Sequence, residues 1–132
     1  MSAPLALVTG GARGIGRAIA ATLAASGYTV IAAARTPPQQ PLPEGVGFAA
    51  LDVRDAAAVR NLFQRLAGEP GGLQVLVNNA GLGLSNSLDA AADDALWHDI
   101  VATNLHGSYF CAKWALPLLP DGRGRIVNIA SV

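Results

Sequence analysis

Short apolar runs alternate with amphipathic stretches along the chain, and the alternation predicts strands separated by helices. The run Leu-Ala-Leu-Val-Thr over residues 5–9 stops at paired glycines and predicts a first strand. Residues 15–26 predict a helix, with Ile19, Ala20 and Leu23 on one face and Gly27 where a helix ends. Residues 28–34 are apolar without alternation, as in a strand covered on both faces. Residues 46–51 give the third strand. Asp55 then stands as N-cap of a helix presenting Val59, Leu62, Phe63 and Leu66. The turn Gly68-Glu69-Pro70-Gly71-Gly72 breaks that helix before a fourth strand over 73–77. A long helix is predicted over 93–119, ended by Pro120-Asp121-Gly122, and a fifth strand over 125–130. This order implies parallel βαβ units, hence an α/β fold with helices on both faces of one sheet.

One segment departs from that logic. Four of the eight prolines fall within residues 37–43, and no helix survives that density. A loop therefore replaces the crossover helix between strands two and three.

Composition narrows the function classes. The 132 residues fit one domain spanning 1–132, and 52% hydrophobic against 14% charged residues argues against disorder. Charged residues make up roughly 25% of an average domain, so the low value implies that much of the surface is covered. Nine basic residues balance nine acidic ones without a cluster, which removes the footprint of a nucleic-acid or anionic-membrane binder. Arg13, Arg17, Arg35 and Asp52 interrupt the apolar N-terminal half, so no span is long enough to cross a bilayer. The start lacks the basic region and long apolar segment of a secretory signal, and the expectation is a cytoplasmic protein. The single cysteine, Cys111, lies in an apolar helical stretch and reads as packing. His98 and His106 have no companion at metal-ligand spacing, so no metal site is expected.

The strongest local signal is Thr9-Gly10-Gly11-Ala12-Arg13-Gly14-Ile15-Gly16 between the first strand and helix. Glycines there let the backbone turn tightly and approach a pyrophosphate, to which the helix N-terminus offers free N–H groups. The spacing is G-x-x-x-G-x-G, and a glycine-rich turn of this kind also serves simply to pack a strand against a helix.

Further motifs follow in order: Asp52-Val53 after the third strand, Asn78-Asn79-Ala80-Gly81 after the fourth, Asn104 in the long helix, and Ile126-Val127-Asn128-Ile129-Ala130-Ser131 on the fifth. Together with the glycine turn they resemble the short-chain dehydrogenase/reductase family. The resemblance implies a Rossmann-like doubly wound parallel sheet, with five strands present of the family's seven. It implies that Gly10, Arg13, Gly14, Ile15 and Gly16 surround the cofactor's phosphates and that Asp52, with Val53, lies at the adenine. Asn79, Ala80 and Gly81 would face the cofactor, while Asn78 ties neighbouring strands together. The bland reading of Asp52 is a solvated turn residue.

Cofactor choice follows from charge. An NAD site needs a carboxylate near the end of the second strand, whereas a 2′-phosphate needs a cation. That strand ends Ala32-Ala33-Ala34-Arg35, and Arg13 stands within the glycine turn, so NADP(H) is favoured over NAD(H). Arg35 as an ordinary surface cation is the competing reading.

The family's catalytic set is a serine, an asparagine, and a tyrosine with a lysine four residues on that lowers its pKa. By resemblance Ser131 and Asn104 are the first two, against readings as a turn former and a helix-distorting polar residue. Tyr109 and Lys113 match Tyr-x-x-x-Lys, but they precede Ser131, whereas the family's pair follows its serine by about a dozen residues. They therefore read as a packing tyrosine and an exposed lysine.

The resemblance implies a ketone/secondary-alcohol oxidoreductase, with a 3-oxoacyl-type ketone suggested, whose catalytic tyrosine and lysine lie downstream. On this reading the chain is truncated or partial, about a hundred residues are missing, and it is inactive alone. A chain truly ending at Val132 would instead be a non-catalytic dinucleotide-binding module or subunit. The long helix carries Trp97, Ile100, Leu105, Phe110, Trp114 and Leu118, more apolar positions than one sheet face needs. That excess, with the family's habit, points to a homo-oligomer, a tetramer or dimer.

Overall fold

A computed structural model describes residues 2–83 and 85–131. Five strands, β1 (Leu5–Thr9), β2 (Thr29–Ala34), β3 (Val46–Ala50), β4 (Leu73–Asn78) and β5 (Arg125–Asn128), form one parallel sheet in the order β3-β2-β1-β4-β5. The helices are α1 (Gly14–Ala25), α2 (Ala56–Leu66), α3 (Asp94–Val101) and α4 (Gly107–Ala115). From β1 the chain steps outward through β2 to β3, then returns to place β4 on the other side of β1. The strand order thus reverses between β1 and β4, and a crevice opens there at the carboxyl ends of the strands. The fold is α/β and Rossmann-like.

Period-two side chains divide the core. Leu5, Leu7, Leu73 and Leu76 point to one face, the odd step from Leu73 to Leu76 being taken up by an irregularity in the pairing opposite Leu5 and Ala6, and Val59, Leu62, Phe63 and Leu66 of α2 and Cys111 and Ala115 of α4 cover them. Ala6, Val8, Val30, Val75 and Val77 point to the other and meet Ala20 of α1, flanked by Ile19 and Leu23. Burying a large side chain such as Phe63 contributes on the order of 1.5–3 kcal/mol, and the α2/α4 face buries Phe63 and several leucines where the α1 face buries alanines and valines, so it is the stronger of the two. On β5 burial is shallow: Val127 is 44% exposed, and Ile129 just beyond the strand 42%.

The predicted long helix is interrupted. Ala102–His106 opens into a π turn between α3 and α4, and Leu116–Leu118 tightens to a 3₁₀ turn before Leu119 becomes extended. One extra residue in a turn rotates the downstream helix by about 100°. Gly107 starts that downstream segment, and a Cβ there would stand 2.5 Å from Val53 Cγ2. Helix α4 can therefore seat itself directly on the loop after β3.

Residues 35–45 form no helix, as their prolines require. Among the described residues no helix is long and apolar enough to cross a membrane.

Candidate functional site

The crevice is a cleft of about 960 Å³, at the upper end of the range for small-molecule sites. Its floor is built by the glycine turn. Gly14 has φ +57° and open space around its Cβ position, so the strain of a left-handed backbone, not crowding, demands glycine. Gly16 is the reverse case: a Cβ would lie 2.2 Å from the Gly10 carbonyl oxygen and 2.5 Å from Asn79 Nδ2. Only glycine lets α1 come this close to β1 and β4.

The start of α1 carries no side-chain cap. Its N-cap residue is Arg13, and no acidic residue stands in the first turn. Helix α2 instead receives Asp55 Oδ1 on Ala58 N at 3.1 Å, and α3 receives Asp93 Oδ1 on Leu96 N at 3.1 Å. The unpaired N–H groups and positive dipole of α1 suit an anion.

Buried polar groups fix the opposite wall. Thr9 Oγ1 ends β1 and accepts from both Asn79 N and Ala80 N at 3.0 Å. Asn79 Nδ2 donates to the Gly10 carbonyl at 3.2 Å, linking this segment to the glycine turn. Asn78 faces away and donates to Asn128 Oδ1 at 3.0 Å, joining β4 to β5. Sequence reading included Thr9 in the glycine motif but gave it no role of its own; the signal for one was a single polar residue closing an apolar strand.

Charged groups ring the cleft. Arg13 and Arg35 line it, with Arg17 beside them. Asp52 lines it too, but its carboxylate is held by Arg54, whose Nη2 lies 2.8 Å from Oδ2 and whose Nε lies 3.0 Å from Oδ1. Arg54 Nη1 also reaches Asp99 Oδ1 of α3 at 2.9 Å. The Arg54 guanidinium hydrogen-bonded to Asp52 holds that carboxyl below the usual carboxylate range. Arg54 was absent from the sequence reading, although an arginine two residues after the aspartate is itself a pairing signal.

Of the residues expected at a cofactor, Gly10, Arg13, Gly14, Arg35, Asp52, Val53, Asn79, Ala80 and Gly81 line the cleft together. Gly16 is buried behind Gly10, and Ile15 is 68% exposed beside a separate shallow depression formed with Ile19. Asn104 lies in the π turn, where its side chain accepts from Leu82 N at 2.8 Å and donates to Leu82 O at 3.0 Å. It thus fixes the segment beyond Gly81, as a polar residue placed where the helix opens. Ser131 is exposed after β5. Tyr109 is 59% exposed with its ring edge on Phe110, and Lys113 Nζ lies over the Trp114 ring. Cys111 is fully buried, and burial pushes its thiol up to about 12.

The sequence profile of the short chain dehydrogenase family matches residues 4–132. The chain is 39% identical over 134 residues to the 3-oxoacyl-(acyl-carrier-protein) reductase FabG of Escherichia coli, covering 97% of this chain and 54% of that protein. It is 36% identical to a 3beta-hydroxysteroid dehydrogenase of Mediterraneibacter gnavus, covering 96% and 49%. Among solved structures, actinorhodin polyketide ketoreductase with NADPH superposes with TM-score 0.87 at 36% identity, over 99% of this chain and 55% of that one. The aldohexose dehydrogenase of Thermoplasma acidophilum gives 0.88 at 31%, over 98% and 50%. The chain spans about half the length of the curated relatives it matches. With the reversed strand order, the glycine turn under an uncapped helix and these likenesses together, the chain belongs to the short-chain dehydrogenase/reductase family, a family of oxidoreductases.

Proposed function

We propose that residues 1–132 form the dinucleotide-binding part of an NADP(H)-dependent oxidoreductase that interconverts a ketone, of 3-oxoacyl type, and a secondary alcohol. The observation that carries this reading is the uncapped start of α1 opening onto a cleft whose β2 end bears Arg35 and no carboxylate. The cradle fits a dinucleotide: the Cβ-free surface at Gly14 and Gly16 admits a pyrophosphate to the N–H groups of the first turn. Arg35 and Arg13 would hold a 2′-phosphate, for which a guanidinium fork is suited. Asp52, already ionised beside Arg54, would accept from the adenine amine, with Val53 against the ring. Asn79, Ala80 and Gly81 would line the ribose side.

When bound, NADP(H) supplies the hydride. This chain's residues orient the partners and exclude water. Ser131 would hold the substrate oxygen. Asn104, whose side chain keeps Leu82 in place, would hold a water in the path of the proton. Catalysis belongs to the whole protein, and residues 1–132 alone should give no turnover of NADPH with a panel of ketones. The exposed Trp97, Leu105, Tyr109 and Leu116 form the face on which a homo-oligomer would assemble.

Arg35→Asp tests the cofactor assignment. Measured dissociation constants should show the preference for NADPH over NADH reversed; an unchanged ratio would remove Arg35 from the site.

A further inference from the structure

The proline-rich segment explains the absence of a crossover helix but leaves open what holds this loop against the body. Residues 36–40 line the cleft next to Arg35, so their position shapes the end of the cleft where a 2′-phosphate would sit. Prolines at 37, 38, 41 and 43 remove four backbone donors, leaving carbonyls as the main means of anchoring. Among the described residues, the hydrogen bonds that tie 36–42 to other elements are two, and both come from Arg17 of α1. Its Nη1 donates to the Gln40 carbonyl at 3.4 Å and its Nη2 to the Pro41 carbonyl. A guanidinium carries donors only and presents them as a fork, which matches consecutive carbonyls. Arg17 stands one helical turn after Arg13, so the same face of α1 serves the glycine turn and the loop.

We propose that Arg17 is a positioning residue that latches the proline-rich loop as a fixed wall of the cleft, raising affinity for the adenosine-phosphate end of the cofactor without contacting its phosphate. The affinity part rests on the cofactor reading above. The physical basis is preorganisation: a wall already ordered by the latch need not lose its freedom when ligand binds. Arg13 and Arg35 are left to meet the ligand's charge, and Arg17 keeps them company from the loop side.

Calorimetric titration with 2′,5′-ADP and with 5′-AMP separates these roles. Arg17→Gln should weaken both probes by a similar factor, about tenfold, and keep their ratio. Arg35→Gln should lower the ratio itself. Backbone amide NMR order parameters over residues 36–45 should fall in Arg17→Gln at an unchanged melting temperature, and Arg17→Lys, with an ammonium in place of the planar fork, should recover part of the order. Loss of 2′,5′-ADP affinity alone would overturn the proposal in favour of direct phosphate contact. Unchanged affinities and order parameters would overturn it altogether. If the parent protein binds neither probe, the cofactor reading fails, and the order parameters still decide the latch: lower loop order in Arg17→Gln supports it, unchanged order refutes it.

Discussion

Helices α1 and α2 begin from loops at opposite places around the same sheet and share a problem, since each leaves first-turn N–H groups without intrahelical partners. Neither has an acidic residue in its first turn. At α2 the chain solves the problem itself, with Asp55 accepting from Ala58 N, and the helix start is a finished piece of surface. At α1 the N-cap is Arg13, whose side chain has no acceptor to give, and two glycines clear the approach. The difference lies in a single cap position and in Cβ atoms withheld nearby. It separates a helix that only supports the core from one whose dipole stays available to a ligand.

Substitutions at the two starts can break or sharpen this contrast, and the most damaging is expected at Gly16. Its missing Cβ lies well inside contact distance of backbone, so Gly16→Ala should cost about 3 kcal/mol or more in urea denaturation. A cost under 1 kcal/mol would mean that α1 is free to retreat and that the close approach is not enforced.

Asp55→Ala should cost about 1 kcal/mol by the same measurement while leaving dinucleotide affinity untouched. An accompanying loss of affinity would blur the distinction between the two helix starts.

Arg13→Asp should do the opposite at α1. Supplying the absent cap should stabilise the fold by about 0.5–1 kcal/mol and lower NADPH affinity at least tenfold, because the new carboxylate occupies the donors a phosphate would use. A more stable variant with full affinity would show that the α1 start is not where the anion sits.

The smallest effect concerns the acid limb of stability. Arg54 lowers the folded-state pKa of Asp52, so the pair's contribution is fully present above the ordinary aspartate value of about 3.9 and is lost as pH falls through the depressed one. Arg54→Gln should flatten that part of the pH–stability curve and leave the neutral range nearly unchanged, since the pair is partly solvated. An identical acid limb in both proteins would show that the ion pair contributes nothing measurable.

What the sequence made readable and what it hid follow from the range of the interactions. Strands β1 to β5 were legible because each is a short apolar run between turn formers, and Asp55 was legible as a cap because its partner is three residues away. The π turn at Ala102–His106 was not, because an inserted residue leaves composition and approximate periodicity unchanged. In the cleft, the glycine turn declared itself through spacing. The pairing of Arg54 with Asp52, two residues away, was there to be read, but its bond to Asp99 and the hold of Arg17 on Pro41 stayed hidden, since those partners lie 45 and 24 residues off. Such pairings are products of tertiary placement, and local pattern carries no trace of them.

The amide of Asn78 also has a bearing on how the sheet assembles. In the native register Val77 pairs with Val127 and Asn78 with Asn128, which brings the two asparagine side chains together at 3.0 Å. A slip of one residue would turn every side chain of β5 to the opposite face. Here such a slip would also cost the buried Asn78 amide its bond to Asn128, leaving it the longer contact to the Ser108 carbonyl at 3.5 Å, a loss on the order of 1 kcal/mol. The pair therefore favours one alignment of β5 in the finished sheet, and with it the placement of the segment that follows β5.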